Sequence, residues 1–500
     1  MGAEALTLNG TGVSSGGALR NVSGDNTYGG GITLGSATRI NSDAGLLTLS
    51  GGINGASLLV TFGGAGNIAV NGGITNSASG ITKDGAGTVT LSGANTYSGG
   101  TTVNAGTLTL SGSGTLGATN GALTIGAGTA NLGGLSRTNG AFTMDTGTLT
   151  NGTLAATSYA MTNAGTVSAV LAGTGALTKS GAGTSTLSGA NTFSGGVTLN
   201  AGTLAISANS ALGNGSVTIA SNATISGLTN LNVTNGIAIS TGATGTLDVA
   251  STFTQTNAGV ISGAGSMVKA GAGTLQLTNA NTYSGGTTVN AGALTLSGSG
   301  TLGATNGNVA IGAGTLDLGG LVRTNGAITL DSGTLTNGTL TATSYALTNA
   351  GTVSAVLAGS GALTKSGAGN ATLSGANTFS GGTTVNAGTL TLSGSGTLGA
   401  TNGNVSIGAG TVDLGGLAIT NGAFTLNTGT LSNGTLTASS YALTNAGTIA
   451  ANLAGTGALT KSGSGTATLS GANTFSGGVT LNAGTLAISA NSALGNGSVT

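Results

Sequence analysis

Long internal repeats are the feature that most constrains how this chain can fold. One unit, with the first copy ITKDGAGTVTLSGANTYSGGTTVNAGTLTL, occurs five times, in residues 81–110, 177–206, 267–296, 363–392 and 459–488. Its copies follow one another at 96, 90, 96 and 96 residues. A sequence repeated in this way predicts one small structural unit that is stacked many times along an axis.

A larger repeat lies above this one. Residues 171–218 reappear as residues 453–500, and only two of the 48 positions differ. The first copy continues beyond residue 218, so we expect the natural protein to be longer than this chain. The start, MGAEALTLNG, lacks the basic and apolar regions of a signal peptide, and we recognise no translocator barrel within the 500 residues.

A finer period of about 19 residues runs inside each unit. Residues 88–91 (TVTL) are matched by residues 107–110 (TLTL), 19 positions later. Short runs that alternate apolar and polar residues are typical of half-buried strands, and Gly- or Asn-containing corners separate them. No stretch shows a helical period, so we predict no substantial helix.

These periods together predict an all-β chain, a right-handed parallel β-helix with coils of about 19 residues. We expect residues 1–500 to form a single continuous array of roughly 26 coils, at ~4.8 Å per coil. Residues 88–91 should lie directly beneath residues 107–110, with the apolar side chains inward and the threonines outward.

Composition excludes several classes of function. The nine basic and nine acidic residues cancel, and charged residues make up 4% of the chain against about 25% in ordinary proteins. No basic patch indicates nucleic-acid binding, and no apolar run reaches the ~18 residues of a membrane span. Because Cys and His are absent, disulfides, thiolate metal sites and histidine catalysis are excluded.

The acidic residues are too scattered to indicate an active site. They are Glu4, Asp25, Asp43, Asp84, Asp145, Asp248, Asp317, Asp331 and Asp413. Catalysis needs convergent titratable groups, so we predict no enzyme activity, no catalytic residue, no cofactor and no metal site.

Charged residues that recur still need an explanation. Arg137 and Asp145 recur as Arg323 and Asp331 but are both replaced in the next copy, which predicts a surface ion pair worth about 0 to 1 kcal/mol; a ligand site is the alternative. The lysine at one position of every unit is interpreted as a corner residue that blunts an exposed edge. Its five copies are Lys83, Lys179, Lys269, Lys365 and Lys461.

Three uncharged motifs have a structural interpretation. An aromatic residue at position 97 and its equivalents is Tyr or Phe, so the hydroxyl is dispensable and packing is favoured over ligand stacking. GSGTLG, at residues 112, 298 and 394, fits a dinucleotide-binding pattern, but no helix or βαβ unit surrounds it. Thr-x-Thr rows are similar to ice-binding solenoids, but such surfaces need the array on every coil, and here it does not persist through the unit.

The unit LTKSGAGTSTLSGANTFSGGVTLNAGTLAI, residues 177–206, resembles the autotransporter-associated β-strand repeat, also called the passenger-associated transport repeat. The Lys before a Gly-rich turn, TLSGANT[YF]SGG and the VNAGTL strand carry the resemblance over about a third of the chain. It implies a passenger region of a type V secreted protein, or a related giant surface protein, displayed at the bacterial outer membrane.

We therefore expect a non-catalytic structural protein on the bacterial cell surface or outside the cell, contributing to adhesion, cell–cell contact or an extracellular matrix or filament. One alternative is an adhesin that binds glycans or a host through a lateral face. Another is the stalk of a larger protein with a glycan-active enzyme elsewhere. The expected partners are surface glycans or neighbouring cells, with end-to-end self-association, no nucleic acid and no membrane insertion by this segment.

Overall fold

The fold is a parallel β-solenoid, as the repeats predict. The computed structural model describes residues 4–500 and divides the chain into two compact units, Met1–Thr246 and Leu247–Thr500. About 24 coils of 19–20 residues account for the fold, slightly fewer than the 26 expected from a coil of 19 residues. Whether the array continues without interruption from residue 1 to residue 500 stays a prediction.

The strands are short because every coil turns several corners. Up to residue 249 they are Leu6–Leu8, Leu19–Asn21, Asn26–Tyr28, Ile32–Leu34, Thr38–Ser42, Leu46–Leu49, Ile53–Asn54, Val60–Gly63, Asn67–Val70, Ile81–Lys83, Thr88–Leu91, Thr101–Val103, Thr107–Leu110, Leu123–Ile125, Thr129–Met144, Thr148–Met161, Thr166–Val167, Val170–Ala172, Ala176–Lys179, Thr184–Leu187, Val197–Leu199, Thr203–Ile206, Val217–Ile219, Ala223–Gly227, Leu231–Val233, Ile237–Ile239 and Thr244–Val249.

The second half of the chain follows the same plan. Its strands are Thr254–Asn257, Ile261–Gly263, Ser266–Ala270, Thr274–Leu277, Thr287–Val289, Ala293–Leu296, Val309–Ile311, Thr315–Thr324, Ala327–Leu330, Thr334–Thr341, Ser344–Leu347, Gly351–Val353, Val356–Ala358, Ala362–Lys365, Asn370–Leu373, Thr383–Val385, Thr389–Leu392, Val405–Ile407, Thr411–Asp413, Ala418–Leu426, Thr430–Ser432, Thr435–Leu443, Thr448–Ile449, Asn452–Ala454, Ala458–Lys461, Thr466–Leu469, Val479–Leu481 and Thr485–Ile488.

Helix is almost absent from the described residues. One 3-10 turn, Val13–Ser15, is the helical element that residues 4–500 contain. No helix in that range is long and apolar enough to cross a membrane.

The strand register confirms the coil period. Residues Thr88, Val89, Thr90 and Leu91 pair in parallel with Thr107, Leu108, Thr109 and Leu110. The alternation along these strands is as predicted, with the apolar side chains buried and the threonines half-buried on the outer face. Since each strand pairs with the next coil, its backbone donors and acceptors are satisfied along the axis.

Coil length is not uniform. One column of paired residues runs Ile81, Thr101, Leu123, Phe142, Tyr159 and Leu177, so its steps are 20, 22, 19, 17 and 18 residues. The turns absorb these differences while the strands stay in register. A residue's place in a coil therefore cannot be found by counting in nineteens.

Candidate functional site

The lysine that recurs in every unit is buried, so its interpretation as a corner residue that blunts an exposed edge is wrong. Lys83 is 1% exposed and lies in strand Ile81–Lys83, where it pairs with Phe62 of the preceding coil and Val103 of the next. The other four lysines, Lys179, Lys269, Lys365 and Lys461, are completely buried. A charged group at this depth needs polar partners, because leaving it unpaired would cost several kcal/mol.

Backbone carbonyls supply those partners. The Nζ of Lys269 donates to the carbonyl oxygens of Ala270 at 2.6 Å, Gly271 at 2.8 Å and Ala291, in the next coil, at 3.2 Å. An ammonium has three donors, so all three are used here. Each lysine thus donates to a carbonyl oxygen in a corner of its own coil. All except Lys179 also donate to a carbonyl oxygen in a corner of the next coil.

A glycine in the next coil makes room for the ammonium. Gly106 has a φ of 61°, and a Cβ built there would lie 2.6 Å from the Nζ of Lys83 and 2.4 Å from the carbonyl oxygen of Gly85. No side chain fits in that space. The N-A-G corner, residues 104–106, therefore packs directly against the lysine of the preceding coil, and its glycine is needed for that contact.

Burial lowers the pKa of Lys269 to about 8, although the nearby Asp248 partly opposes the shift. Burial also lowers the pKa of Lys83, Lys179 and Lys365. The same lysines in the unfolded chain have a pKa of about 10.4. Between these values the unfolded state binds more protons than the folded state, so stability rises with pH in that window.

We expect urea unfolding midpoints to increase between pH 8 and pH 9.5. Lys269→Met should remove part of this slope, because the variant has no amine to titrate at that position. The window stops below pH 10 because burial raises the pKa of Tyr97 and Tyr283, which reverses the trend once tyrosine ionises in the unfolded chain. A midpoint that falls steadily from pH 8 to pH 9.5 would contradict this account of the lysines.

A buried asparagine joins three successive coils. The Oδ1 of Asn377 accepts from the backbone N–H of Leu357 at 2.9 Å, one coil before, and its Nδ2 donates to the carbonyl oxygen of Thr397 at 3.0 Å, one coil after. The side chain is 3% exposed. The same two bonds recur at Asn95, Asn191, Asn281 and Asn473.

The aromatic residue two positions later packs in the core, as predicted. Tyr97, Phe193, Tyr283, Phe379 and Phe475 are all fully buried. Where the residue is tyrosine, its hydroxyl lies 2.7 Å from a threonine hydroxyl, in the pairs Tyr97–Thr101 and Tyr283–Thr287. Val197 and Val479 stand at the threonine position beside Phe193 and Phe475.

This pairing gives a prediction. Thr101→Val removes the partner of a fully buried tyrosine hydroxyl and should cost about 1–3 kcal/mol of unfolding free energy beyond a matched control. The control is Thr383→Val, beside Phe379, because both threonines also donate to a backbone carbonyl. Adding Tyr97→Phe to Thr101→Val should recover most of the lost unfolding free energy, as measured by urea unfolding. Absence of any recovery would contradict a stabilising bond between the two hydroxyls.

A second position with a buried tyrosine, which each 96-residue repeat contains, is not predicted from the sequence. Tyr345 is 2% exposed, and its hydroxyl accepts from the backbone N–H of Ala342 at 2.9 Å and lies 2.6 Å from the carbonyl oxygen of Ala358, to which it donates. Tyr159 and Tyr441 make the equivalent bonds. The signal was the invariant Tyr in the recurring SYA triplet.

The predicted ion pair between Arg137 and Asp145 is wrong. The Nε of Arg137 donates to the carbonyl oxygen of Gly114 at 2.8 Å, because a turn of the preceding coil brings that carbonyl alongside the strand. Asp145 instead accepts from the hydroxyl of Thr162 at 3.4 Å. The second copy behaves in the same way, with the pairs Arg323–Gly300 and Asp331–Thr348.

The structure brings few charges together. Ion pairs join Arg20 to Asp43 at 2.6 Å and Arg39 to Asp84 at 2.7 Å. No three acidic residues within residues 4–500 lie close enough to hold a metal ion. The GSGTLG segment at residue 112 forms turns between strands Thr107–Leu110 and Leu123–Ile125, with no helix after it. The polar chemistry of the repeat is thus directed inward.

Comparison with known families gives one match. The family model described as the passenger-associated-transport-repeat matches residues 81–110, 177–206, 267–296, 363–392 and 459–488. The buried lysine, the bridging asparagine and the buried aromatic residue all lie within each matched segment. Neither the curated proteins nor the solved structures gave a match.

Proposed function

Because the chain contains five passenger-associated transport repeats, we propose that it is a non-catalytic stalk of an autotransporter passenger, displayed on the bacterial surface. One observation carries the proposal. In every repeat the lysine, the asparagine and the aromatic residue are buried, and the asparagine bonds to the coil before and the coil after its own. What the repeat adds is length and cohesion, so we infer a mechanical role in adhesion, cell–cell contact or an extracellular matrix or filament.

Surface display can be tested on intact cells. An antibody raised against residues 1–500 should label intact and permeabilised cells of the native bacterium equally. Deleting the gene should abolish the labelling and reduce attachment of cells to one another or to glycan-coated surfaces. Labelling that requires permeabilisation would contradict display, and unchanged attachment would contradict adhesion.

A lateral glycan-binding face, the alternative, would need a groove lined by free polar side chains. A groove in the first unit is lined by asparagines that include Asn209, Asn214 and Asn235. These side chains are already engaged: Asn209 accepts from the N–H of Asn232, and Asn235 donates to the carbonyl oxygens of Gly213 and Gly215. Since the amides hold the backbone, we favour the stalk.

We also propose that residues 1–500, taken alone, associate end to end. The side chains of Leu481 and Ile488 are 45% and 52% exposed, whereas their equivalents Leu199 and Ile206 are fully covered by the next coil. Apolar side chains beside unpaired strand edges favour pairing with another chain. Light scattering should show mass rising with concentration, and the variant Leu481→Lys/Ile488→Lys should reduce it; a monodisperse monomer at all concentrations would contradict the proposal.

A further inference from the structure

One outer face of the first unit carries a ladder of twelve polar residues, eleven of them Thr or Ser, and we propose that this face binds ice. The ladder has two columns, formed in each of six successive coils by a strand residue i and by residue i+2, which lies in the same strand or directly after it. The first column is Thr88, Thr107, Thr129, Thr148, Thr166 and Thr186. The second column is Thr90, Thr109, Asn131, Thr150, Ser168 and Ser188.

The persistence of the ladder corrects an expectation from the sequence. Along the chain the Thr-x-Thr rows are interrupted, because the steps between coils are 19, 22, 19, 18 and 20 residues. The register removes the interruption, since the turns take up the extra residues and the first column holds threonine in every coil. The array that such a surface requires is therefore present.

The hydroxyls of the first column are free to meet a ligand. Within residues 4–500, none of these six threonine hydroxyls makes a hydrogen bond to another protein atom, and all six side chains are half-buried or exposed. The residues between the columns, such as Val89, Leu108 and Leu149, are at most 1% exposed and hold the strands rigidly from below. Threonine is stiff at χ1, so each methyl and hydroxyl keeps a fixed direction.

The dimensions and charge of the face select the ligand. The rows repeat at ~4.8 Å between coils and the columns are about 6.7 Å apart along the strand. No charged residue interrupts the twelve positions. An uncharged grid made mainly of hydroxyl and methyl groups fits a partner that is itself a lattice with repeats of this size, and crystalline water has such repeats. A soluble glycan would need a concave site with aimed donors and acceptors, which this face does not offer.

Residues 274–374 of the second unit offer a matched control. Their corresponding strands contain Thr334 and Thr352, but the same two columns are interrupted by Ala293 and Asp317. An alanine lacks the hydroxyl, and a carboxylate holds its own hydration shell. We therefore expect ice to distinguish the two faces although their backbones are alike.

The test uses the whole chain of residues 1–500. When a solution is frozen slowly, the protein should enter the ice and should inhibit ice recrystallisation. The double variant Thr107→Lys/Thr148→Lys places two long charged side chains on the face and should lose both activities. Thr334→Lys, on the second unit, should retain them, and circular dichroism should show that all three proteins are folded.

Three results would overturn the proposal. The first is rejection of the native chain from ice as complete as that of a bystander protein such as an albumin. The second is loss of binding in Thr334→Lys as full as in the double variant, which would place the activity elsewhere. The third is light scattering that shows the face pairing two copies of this chain, with dissociation in the double variant and no enrichment in ice.

Discussion

Excision of residues 363–458 is expected to give a shorter protein that folds like the full chain. The excised segment is one 96-residue repeat, so the junction puts Leu459 after Ala362 in place of Leu363. In the intact chain Leu363 pairs with Tyr345, and Leu459 pairs with Tyr441, so the new contact between Tyr345 and Leu459 already exists in kind. Each repeat contacts only its neighbours, and stability per coil should therefore be retained.

The matched control removes ten more residues, 363–468. It deletes half a coil in addition, including residues 459–461 of strand Ala458–Lys461, so the strand that contains Tyr345 loses its natural partner. One turn of the solenoid needs about 19–20 residues, and the coil at the junction is now ten residues short. The residues that follow the junction should therefore be unfolded. Limited digestion with a non-specific protease should trim the control at its C-terminal end and spare the 96-residue excision. Equal resistance of the two would contradict the register.

Asn377→Ala is expected to be strongly destabilising for a substitution that removes only one amide. It leaves the N–H of Leu357 and the carbonyl of Thr397 without their buried partner. Each orphaned group costs about 1–3 kcal/mol, so about 2–6 kcal/mol is expected in total. Hydrogen exchange at the Leu357 amide should accelerate accordingly, and the urea midpoint should fall.

A second asparagine of the same unit is the control for that experiment. Asn386 is exposed in the N-A-G corner, and Asn386→Ala should change stability by no more than about 0.5 kcal/mol. If the two variants behaved alike, the asparagine in the ANT[YF] motif would not be joining the coils.

Much of the fold could be predicted because its signals are local and repeated. The alternation in residues 88–91 and 107–110 fixed which side chains face inward, and the 19-residue spacing fixed the pairing of those two strands. The exchange of Tyr and Phe at position 97 and its equivalents correctly indicated packing. These features depend on residue type and spacing alone.

The polar core was not predictable in the same way. A lysine is normally exposed, and the burial of Lys269 depends on three carbonyl oxygens whose direction is set by two corners. The ion pair at Arg137 failed for a related reason, since a turn of the preceding coil supplies a carbonyl that no spacing in the sequence reveals. The threonine ladder was hidden because coil length varies.

The central claim, that successive windings lie directly above one another, can be tested by crosslinking. The chain has no cysteine, so introduced cysteines have no competitors. Thr90→Cys/Thr109→Cys places two cysteines on paired residues of adjacent coils, about 4.8 Å apart, within the range that a disulfide spans. The account predicts rapid oxidation to an intramolecular disulfide in this variant and none in Thr90→Cys/Thr150→Cys, where three coils separate the residues. A disulfide in the second variant and not in the first would contradict it.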